Sequence, residues 1–156
     1  MHVSARAEEH VSRPPEQVFD FATACETFPK VLLPLGPVAG IAHADLLDGD
    51  GLRTGARRRI VLTDGSIIDE EVLAFERPTR HRYRWLNPPP APFAWIVRGG
   101  EGDWTFTSFR DGTTIVWIYR FELTSPIVYP IAALVVVLFR RWMARGLAKV
   151  RAQLTA

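Results

Sequence analysis

The sequence predicts an α+β fold in which an antiparallel sheet packs against one long C-terminal helix. Alternating apolar and polar residues, interrupted by tight-turn sequences, occupy most of residues 40–124, and strands joined by short turns pair antiparallel. Helix signals occur in two regions, directly after a first strand and at the C-terminus, which is the element order of an α+β protein. The terminal helix carries an apolar stripe that it cannot bury without a partner.

The N-terminal region is predicted to form one half-buried strand and two short helices. Apolar residues alternate with polar ones over residues 3–11. Residues 12–16, SRPPE, are typical of a helix start, with proline early and an acid in the first turn. Val18, Phe19 and Ala22 supply the apolar side of this helix. A second helical turn is predicted over residues 25–30, because the prolines that follow break any longer helix.

Six further strands are predicted between the short helices and the terminal helix. Turn sequences separate them, among them Asp48–Gly51, Asp64-Gly65 and Arg110-Asp111-Gly112. The proline-rich residues 87–92 cannot pair in a sheet, the segment 93–98 is expected to be extended, and Gly99-Gly100 is expected to bend the chain. The six predicted strands cover residues 41–47, 53–63, 67–75, 81–86, 103–109 and 113–124.

The C-terminal segment predicts one amphipathic helix of roughly 37 Å. Ser125 or Thr124 can cap it, and Pro130 delays regular helix to about Tyr129. The uncharged run Ile127–Phe139 has about 13 residues, short of a membrane span, so we expect a buried core helix. Its core stripe recurs every three or four residues and comprises Val128, Ala132, Val136, Phe139, Met143, Leu147, Val150 and Leu154.

Composition excludes several classes of function. Of 156 residues, 47% are hydrophobic and 23% are charged, which is typical of a globular protein, and one domain over residues 1–156 is the simplest interpretation. A net charge of +2 argues against nucleic-acid binding driven by charge. Cys25 is the only cysteine, so no disulfide or cysteine-based zinc site forms within the chain. The charged N-terminal residues 1–11 carry no apolar signal segment, so we expect a cytoplasmic location.

Motifs for metals and cofactors are lacking as well. The four histidines show no metal-ligand spacing, and we expect neither a metal nor a cofactor. The sequence contains no glycine-rich phosphate loop and none of the common protease or hydrolase motifs. We therefore expect any site to be an internal one that is formed by side chains without a metal or cofactor.

Strand alternation predicts an aromatic wall facing the terminal helix. Large rings with polar tips suit a pocket for an apolar body with a few polar handles, although the same rings could simply fill the core. In residues 67–75, Leu73 and Phe75 favour the phase that also turns Asp69 and Glu71 inward. The expected ligand-binding set is Glu71, Leu73, Tyr83, Trp85, Trp104, Phe106, Trp117 and Tyr119 from the sheet, with Phe139 and Trp142 from the helix.

Two carboxylates are the candidate acid or base groups. In an apolar cavity the pKa of Glu71 or Asp69 would rise through desolvation, and the group could exchange a proton with a ligand. The alternative is that either carboxylate pairs with one of the arginines of residues 57–59, which occupy both faces of the neighbouring strand. His81 lies beside a turn and is expected to be solvated.

Three segments resemble the START-like, Bet v 1-like superfamily, also called SRPBCC. VSRPPEQVFDFA resembles its opening strand and helix, DEEVLAFERPTRHRYRW its middle hairpin, and GDWTFTSFRDGTTIVWIYRFEL its last hairpin. They follow the family's order along nearly the whole chain, and the most similar branch is the polyketide cyclase/dehydrase-type bacterial members. The resemblance implies a helix-grip fold, in which a curved sheet grips the C-terminal helix around a cavity for lipids, hormones or polyketides. In several branches an acid at the place of Glu71 lines that pocket.

Three functions follow as hypotheses. The first is the binding of an apolar small molecule, such as a lipid or polyketide, between sheet and helix. The second is a polyketide cyclase or dehydratase that uses Glu71 or Asp69 as the base and Tyr83, Tyr119 or His81 as the proton donor. The third is attachment to a membrane surface through the loop containing Phe93 and Trp95 and the basic end of the last helix. No acid follows Glu122 there, whereas the helix carries Arg140, Arg141, Arg145, Lys149 and Arg151.

Overall fold

The computed structural model describes residues 1–49 and 51–156, so the predicted Asp48–Gly51 turn contains one residue, Asp50, that lies outside the described residues. Three α-helices are α1 (Pro15–Thr23), α2 (Phe28–Val31) and α3 (Tyr129–Thr155). Seven strands are β1 (His2–Val11), β2 (Ile41–Leu46), β3 (Arg57–Leu62), β4 (Ile67–Glu76), β5 (Arg80–Trp85), β6 (Val97–Phe109) and β7 (Gly112–Leu123).

The seven strands form one antiparallel sheet in the order β1-β7-β6-β5-β4-β3-β2. The sheet is curved, and α3 packs against its inner face together with α1 and α2, which confirms the predicted α+β helix-grip architecture. Among the described residues, only the connection from β1 to β2 carries α-helices, and the later strands are joined by turns or loops. The interior between sheet and helices is therefore the natural place for a site.

The terminal helix begins where its sequence predicts. Pro126–Val128 forms a 3-10 turn, the Ser125 hydroxyl accepts a hydrogen bond from the Ile127 amide at 3.3 Å, and regular helix starts at Tyr129. All eight residues of the predicted stripe belong to the buried core or pack against it. This stripe fixes which side of α3 faces the sheet.

The expected burial of the uncharged run Ile127–Phe139 was only partly correct. One side of the run packs on the sheet, but the opposite side is open to solvent. Ile127 is 84% exposed and Leu134 is 71% exposed. Hydrophobic periodicity shows which side chains lie on one line, but it does not show how many sides of a helix find a partner.

The predicted bend at Gly99-Gly100 was wrong, because β6 continues through both glycines from Val97 to Phe109. The rings of the adjacent strand β5 lie flat across this part of β6. A side chain at Gly100 would overlap the Trp85 ring, and one at Gly102 would overlap the Tyr83 ring. Glycine is needed here for the close approach of two aromatic rings rather than for a turn.

The predicted inward phase of the strand at residues 67–75 was also wrong over most of its length. The pairing of β4 with β5 shifts register between Val72 and Ala74, so Leu73 is the extra residue of a β-bulge. Phe75 does point inward, but on the near side of the bulge the inward residues are Ile68, Glu70 and Val72. Extending the phase of Phe75 backwards therefore placed Asp69, Glu71 and Leu73 on the wrong face.

Candidate functional site

A small internal cavity lies between the sheet, α3 and the two short helices. Its volume is about 40 Å³, enough for roughly three water-sized groups and far below the 300–1,000 Å³ or so of a typical ligand pocket. The side chains that line it come from every layer of the fold and are Ala22, Phe28, Leu32, Ile41, Arg58, Ile60, Glu70, His81, Tyr83, Trp104, Trp117, Tyr119 and Trp142.

A buried ion pair stands in this otherwise mostly apolar lining. Arg58 on β3 and Glu70 on β4 are direct cross-strand partners, and the Arg58 Nε donates to Glu70 Oε1 at 2.8 Å. Their side chains are only 1% and 7% exposed. The Arg58 guanidinium also lies over the rings of Tyr83, at 4.7 Å, and Phe28, at 5.0 Å, where the ring faces attract a cation.

His81 contacts the ion pair, so the prediction that its side chain is solvated was wrong. It is 2% exposed, because the Phe75 ring packs edge-on against it from β4 at 5.6 Å. The Arg58 Nη1 lies 3.2 Å from His81 Nε2. A guanidinium has donors only, so Nε2 must be the acceptor and the imidazole proton must reside on Nδ1. The contact with Arg58 therefore selects a neutral imidazole in one tautomer.

Burial and neighbouring charges shift the titration of this cluster. Burial lowers the pKa of His81 well below its ordinary value, and the Arg58 charge lowers it further. Burial raises the pKa of Glu70, against the opposing effect of Arg58. Burial also raises the pKa of Tyr83, so its phenol keeps its proton. For Arg58, burial opposes ionisation, but Glu70 and its other neighbours outweigh it and hold the pKa above the ordinary value.

We expect the buried neutral imidazole to make stability depend on pH. Below pH 6.5, the ordinary pKa of histidine, His81 binds a proton in the unfolded chain but stays neutral in the folded chain. The free energy of unfolding then falls by up to about 1.4 kcal/mol per pH unit. Glu70 acts in the opposite direction, because its raised pKa lets the folded chain bind a proton first.

Comparison with a His81→Gln variant isolates the histidine, since glutamine keeps an acceptor for Arg58 but does not titrate. Urea unfolding of both proteins across this pH range should show the wild type losing stability relative to the variant as the pH falls. Parallel curves would contradict a buried neutral His81.

The aromatic wall predicted from strand alternation is present. Five of its members, Tyr83, Trp104, Trp117, Tyr119 and Trp142, line the cavity itself. Three others face inward beside it. Trp85 donates from Nε1 to the Tyr119 hydroxyl at 2.7 Å, Phe106 stacks on Trp104, and Phe139 packs against Tyr119 and Trp142. Their role in ligand binding remains a prediction.

Two indole N–H groups of this wall lack a partner. Trp104 donates to the Tyr83 hydroxyl at 3.3 Å. Trp117 lies near the same hydroxyl, but among the described residues neither Trp117 Nε1 nor Trp142 Nε1 makes a hydrogen bond of normal geometry. Both atoms are buried, and a buried donor without an acceptor costs about 1–3 kcal/mol. Both side chains line the cavity, which makes these N–H groups candidate donors for an acceptor inside it.

The three predicted polar and aliphatic site residues on β4 lie outside the cavity, on the outer face of the sheet. Asp69 accepts two hydrogen bonds from Arg59, at 2.9 and 3.1 Å, and this pairing lowers its pKa. Glu71 pairs with Arg84 on β5 at 2.8 Å. Leu73 is the bulge residue. The alternative of pairing with a neighbouring arginine was therefore correct for Asp69, and the carboxylate in the cavity is Glu70.

A signal for the true pair was present in the sequence. Arg58 is the central member of an arginine triplet, and a strand turns its central residue to the face opposite its neighbours. Glu70 lies between Ile68 and Val72, which is the alternation of a buried face. With β3 and β4 joined by the Asp64-Gly65 turn, these two observations together place an arginine and a glutamate opposite each other inside the sheet.

An open cleft of about 570 Å³ lies next to the cavity, between α1 and β2. Asp20, Cys25, Asp45 and Leu46 are among its lining residues, and Phe75 forms part of its wall. The Phe75 ring also contacts Phe19 and His81. Phe75 therefore separates the cleft from the polar cluster of the cavity.

Known proteins support this fold and its family. Residues 2–155 match the family described as polyketide cyclase / dehydrase and lipid transport. The chain belongs to this family, within the Bet v 1-like group, as its sequence resemblance implied. The family and the structure together support a fold that binds hydrophobic ligands. None of the curated proteins matches the chain.

Solved structures share the architecture at low sequence identity. TTHA0849 from Thermus thermophilus has a TM-score of 0.72 and 23% identity over 98% of this chain and 97% of its own. Ara h 8.0201 has a TM-score of 0.71 and 16% identity over 99% of both chains. BexL, a di-domain ARO/CYC from the BE-7585A biosynthetic pathway, has a TM-score of 0.71 and 16% identity. This chain spans 97% of its own length but only 49% of BexL, and these similarities show the fold alone.

Proposed function

We propose that the protein binds a flat apolar molecule that carries acceptor oxygens, in the cavity between the sheet and α3. The observation that supports this most directly is the buried Arg58–Glu70 pair in an aromatic lining. Burying two charges is expensive, and a well-packed apolar pair is often at least as stable. Because an apolar pair would pack at least as well at these two positions, recognition of a ligand's carbonyl, hydroxyl or carboxylate group explains the two buried charges better than packing does.

The donors around the cavity narrow the ligand class. Arg58 and the indole N–H groups of Trp117 and Trp142 offer donors, whereas the surrounding rings offer flat apolar faces. A polyketide-like or aromatic compound has both features, and an unbranched lipid has its polar group only at one end. We therefore favour a polyketide-like or aromatic compound as the ligand. We propose the cytoplasm as the compartment in which it is bound.

The cavity must enlarge for such a ligand to enter. At about 40 Å³ it accommodates only the polar end of a compound of ordinary size. Displacement of Phe75 would join the cavity to the adjacent cleft of about 570 Å³, which is within the size range of ligand pockets. We propose that ligands enter by this route and bring their oxygen atoms to Arg58.

Three probes of nearly equal shape test the proposal: naphthalene, 2-naphthol and 2-naphthoic acid. Native mass spectrometry should show uptake, and tryptophan fluorescence should give affinities. We expect wild type to prefer an oxygenated probe over naphthalene by about tenfold or more, the effect of a hydrogen bond to a charged group. A variant with Arg58→Met and Glu70→Leu should bind all three alike.

The outer face supplies a matched control. Glu71→Leu with Arg84→Met removes an ion pair between β4 and β5 on the outer face of the sheet, without touching the cavity, and this variant should keep the wild-type preference. If wild type took up none of the probes, or if the Arg58 and Glu70 variant kept the preference, the proposal would be wrong.

Acid–base catalysis on a carbonyl compound is the second candidate function. The cavity lining contains a carboxyl group with a raised pKa, a neutral imidazole and a phenol, in Glu70, His81 and Tyr83. These groups take the place of Glu71 and Asp69 as candidates for the proton transfer. The two functions differ in the fate of the compound, because a carrier returns it unchanged and an enzyme returns it with an altered mass or structure.

A further inference from the structure

The first half of α3 presents an apolar surface to solvent. With the neighbouring turn at Phe93–Trp95 it forms what we call the apolar face. Trp95 is 73% exposed, although the other four tryptophans are buried or half-buried. The large exposed side chains of the apolar face are Trp95, Ile127, Tyr129, Ile131, Leu134 and Val137.

Hydrogen bonds hold the two parts of the apolar face together. The Thr124 hydroxyl donates to the Trp95 carbonyl at 2.7 Å, and the Thr124 amide donates to the Ile96 carbonyl at 3.0 Å. The turn that carries Trp95 is therefore fixed beside the Pro126–Val128 turn that carries Ile127. These bonds place the exposed Trp95 close to the start of the helix.

The hydropathy of this helix and its burial disagree. Within the segment Pro126–Thr155, which is long and apolar enough to cross a membrane, an 18-residue window has a mean hydropathy of 1.7, yet only 22% of it is buried. A helix that is apolar on all sides belongs either to a protein core or to lipid. Here the sheet covers one side only, and large exposed apolar patches mark interaction sites.

The charged residues next to the apolar face indicate which kind of partner it binds. Ile127, Ile131, Leu134 and Leu138 follow one another at steps of three or four along the outer side of the helix. Arg141 and Arg145 continue the same line one and two turns later, both exposed. Neither forms an ion pair with any residue that the structure describes, and no acid follows Glu122. An apolar stretch that runs into cations matches the interior and the anionic headgroups of a lipid surface.

We propose that the protein docks on anionic membrane surfaces through the apolar face, with Arg141 and Arg145 on the lipid phosphates. The docking surface is thus the apolar start of α3 and Trp95 rather than the basic end alone. The distance from Ile131 to Arg145 along the helix is about 21 Å, so an oblique helix inserts its start and keeps the arginines at headgroup level. Docking depends on the outer surface alone and holds whether or not the cavity takes a ligand.

Vesicle flotation tests the docking. Wild type should float with vesicles of phosphatidylcholine and phosphatidylglycerol, and Leu134→Asp should reduce the bound fraction by roughly tenfold or more. Phe109→Asp is the matched control. Phe109 is also an exposed apolar side chain, but it lies at the far end of β6, about 40 Å from the strand's start beside Trp95. Its replacement should leave flotation unchanged.

Trp95 gives a second readout that does not depend on a folding-sensitive variant. Brominated lipids should quench part of the wild-type fluorescence, and Trp95→Phe should remove the quenched part while the protein still floats. Arg141→Glu with Arg145→Glu should abolish the preference for anionic over pure phosphatidylcholine vesicles.

Three results would overturn the proposal. Wild type could fail to float on anionic vesicles at low salt, or Leu134→Asp could float like wild type. Sedimentation could instead show a wild-type dimer that Leu134→Asp dissociates, with no vesicle binding, which would assign the apolar face to a second copy of the chain.

Discussion

Replacement of Glu70 by alanine is expected to lower the free energy of unfolding by about 3–5 kcal/mol. The change leaves the Arg58 guanidinium buried without its carboxylate, and the cation is too basic to lose its proton. Arg58 is 1% exposed, so solvent does not replace the lost carboxylate in the folded protein. Urea denaturation with the slope and midpoint measured separately gives the value directly.

Glu71→Ala is the matched control on the adjacent residue. Glu71 also pairs with an arginine, but on the solvated outer face of the sheet, where an ion pair contributes less than about 1 kcal/mol. A large loss for Glu71→Ala with a small one for Glu70→Ala would mean that the inward phase of β4 is the opposite of the one described.

The double replacement Arg58→Met and Glu70→Leu separates the cost of an orphaned charge from the value of the pair. Because apolar residues of similar volume often replace a buried ion pair without loss, we expect the double variant to regain most of the stability that Glu70→Ala loses. If it were as unstable as the single variant, the pair would be needed for packing, and the argument for a binding role would fail.

Trp142→Ala is expected to destabilise the fold by about 3–5 kcal/mol and at the same time to create capacity for a ligand. Trp142 lines the cavity from the helix side, with its ring 5.8 Å from that of Trp117 and 5.0 Å from that of Phe139. Removing the indole joins its volume to the existing cavity. Added indole has the shape of the lost side chain and should restore stability by mass action, about 2.7 kcal/mol at a hundred times its Kd.

Trp95→Ala removes the same group from the surface and serves as the control. Because Trp95 is 73% exposed, its loss should change stability by no more than about 0.5 kcal/mol, and indole should have no effect. Indole that stabilised both variants equally, or neither, would show that the Trp142 site does not form an enclosed cavity.

Local patterns in the sequence were sufficient for the elements and their order. Turn dipeptides separate the strands, alternation gives the inner faces of β1 and β7, and the steps of three and four give the buried side of α3. The aromatic wall follows from the same alternation, because β5, β6 and β7 keep one phase through the residues concerned. Each of these depends on neighbours within a single element.

The parts that the sequence could not supply depend on contacts between elements. The bulge at Leu73 is a register shift between β4 and β5, and it reverses the inward side of β4 relative to the phase of Phe75. His81 lies at a strand start, but Phe75 from another strand covers it. Gly100 and Gly102 stay in a strand because rings from β5 cover them. In each instance the deciding side chain lies on a different element from the residue in question.

The stacked indole rings of Trp104 and Trp117 affect the circular dichroism of the protein in the aromatic bands. The two indole rings lie 4.4 Å apart and only 28° from parallel, close enough for their electronic transitions to couple, and Trp117 lines the cavity. A ligand that moves either ring alters this coupling and with it the circular dichroism of the aromatic bands. Trp95, on the outer surface, reports through its emission instead. A single unlabelled sample therefore distinguishes an event in the cavity from one at the surface.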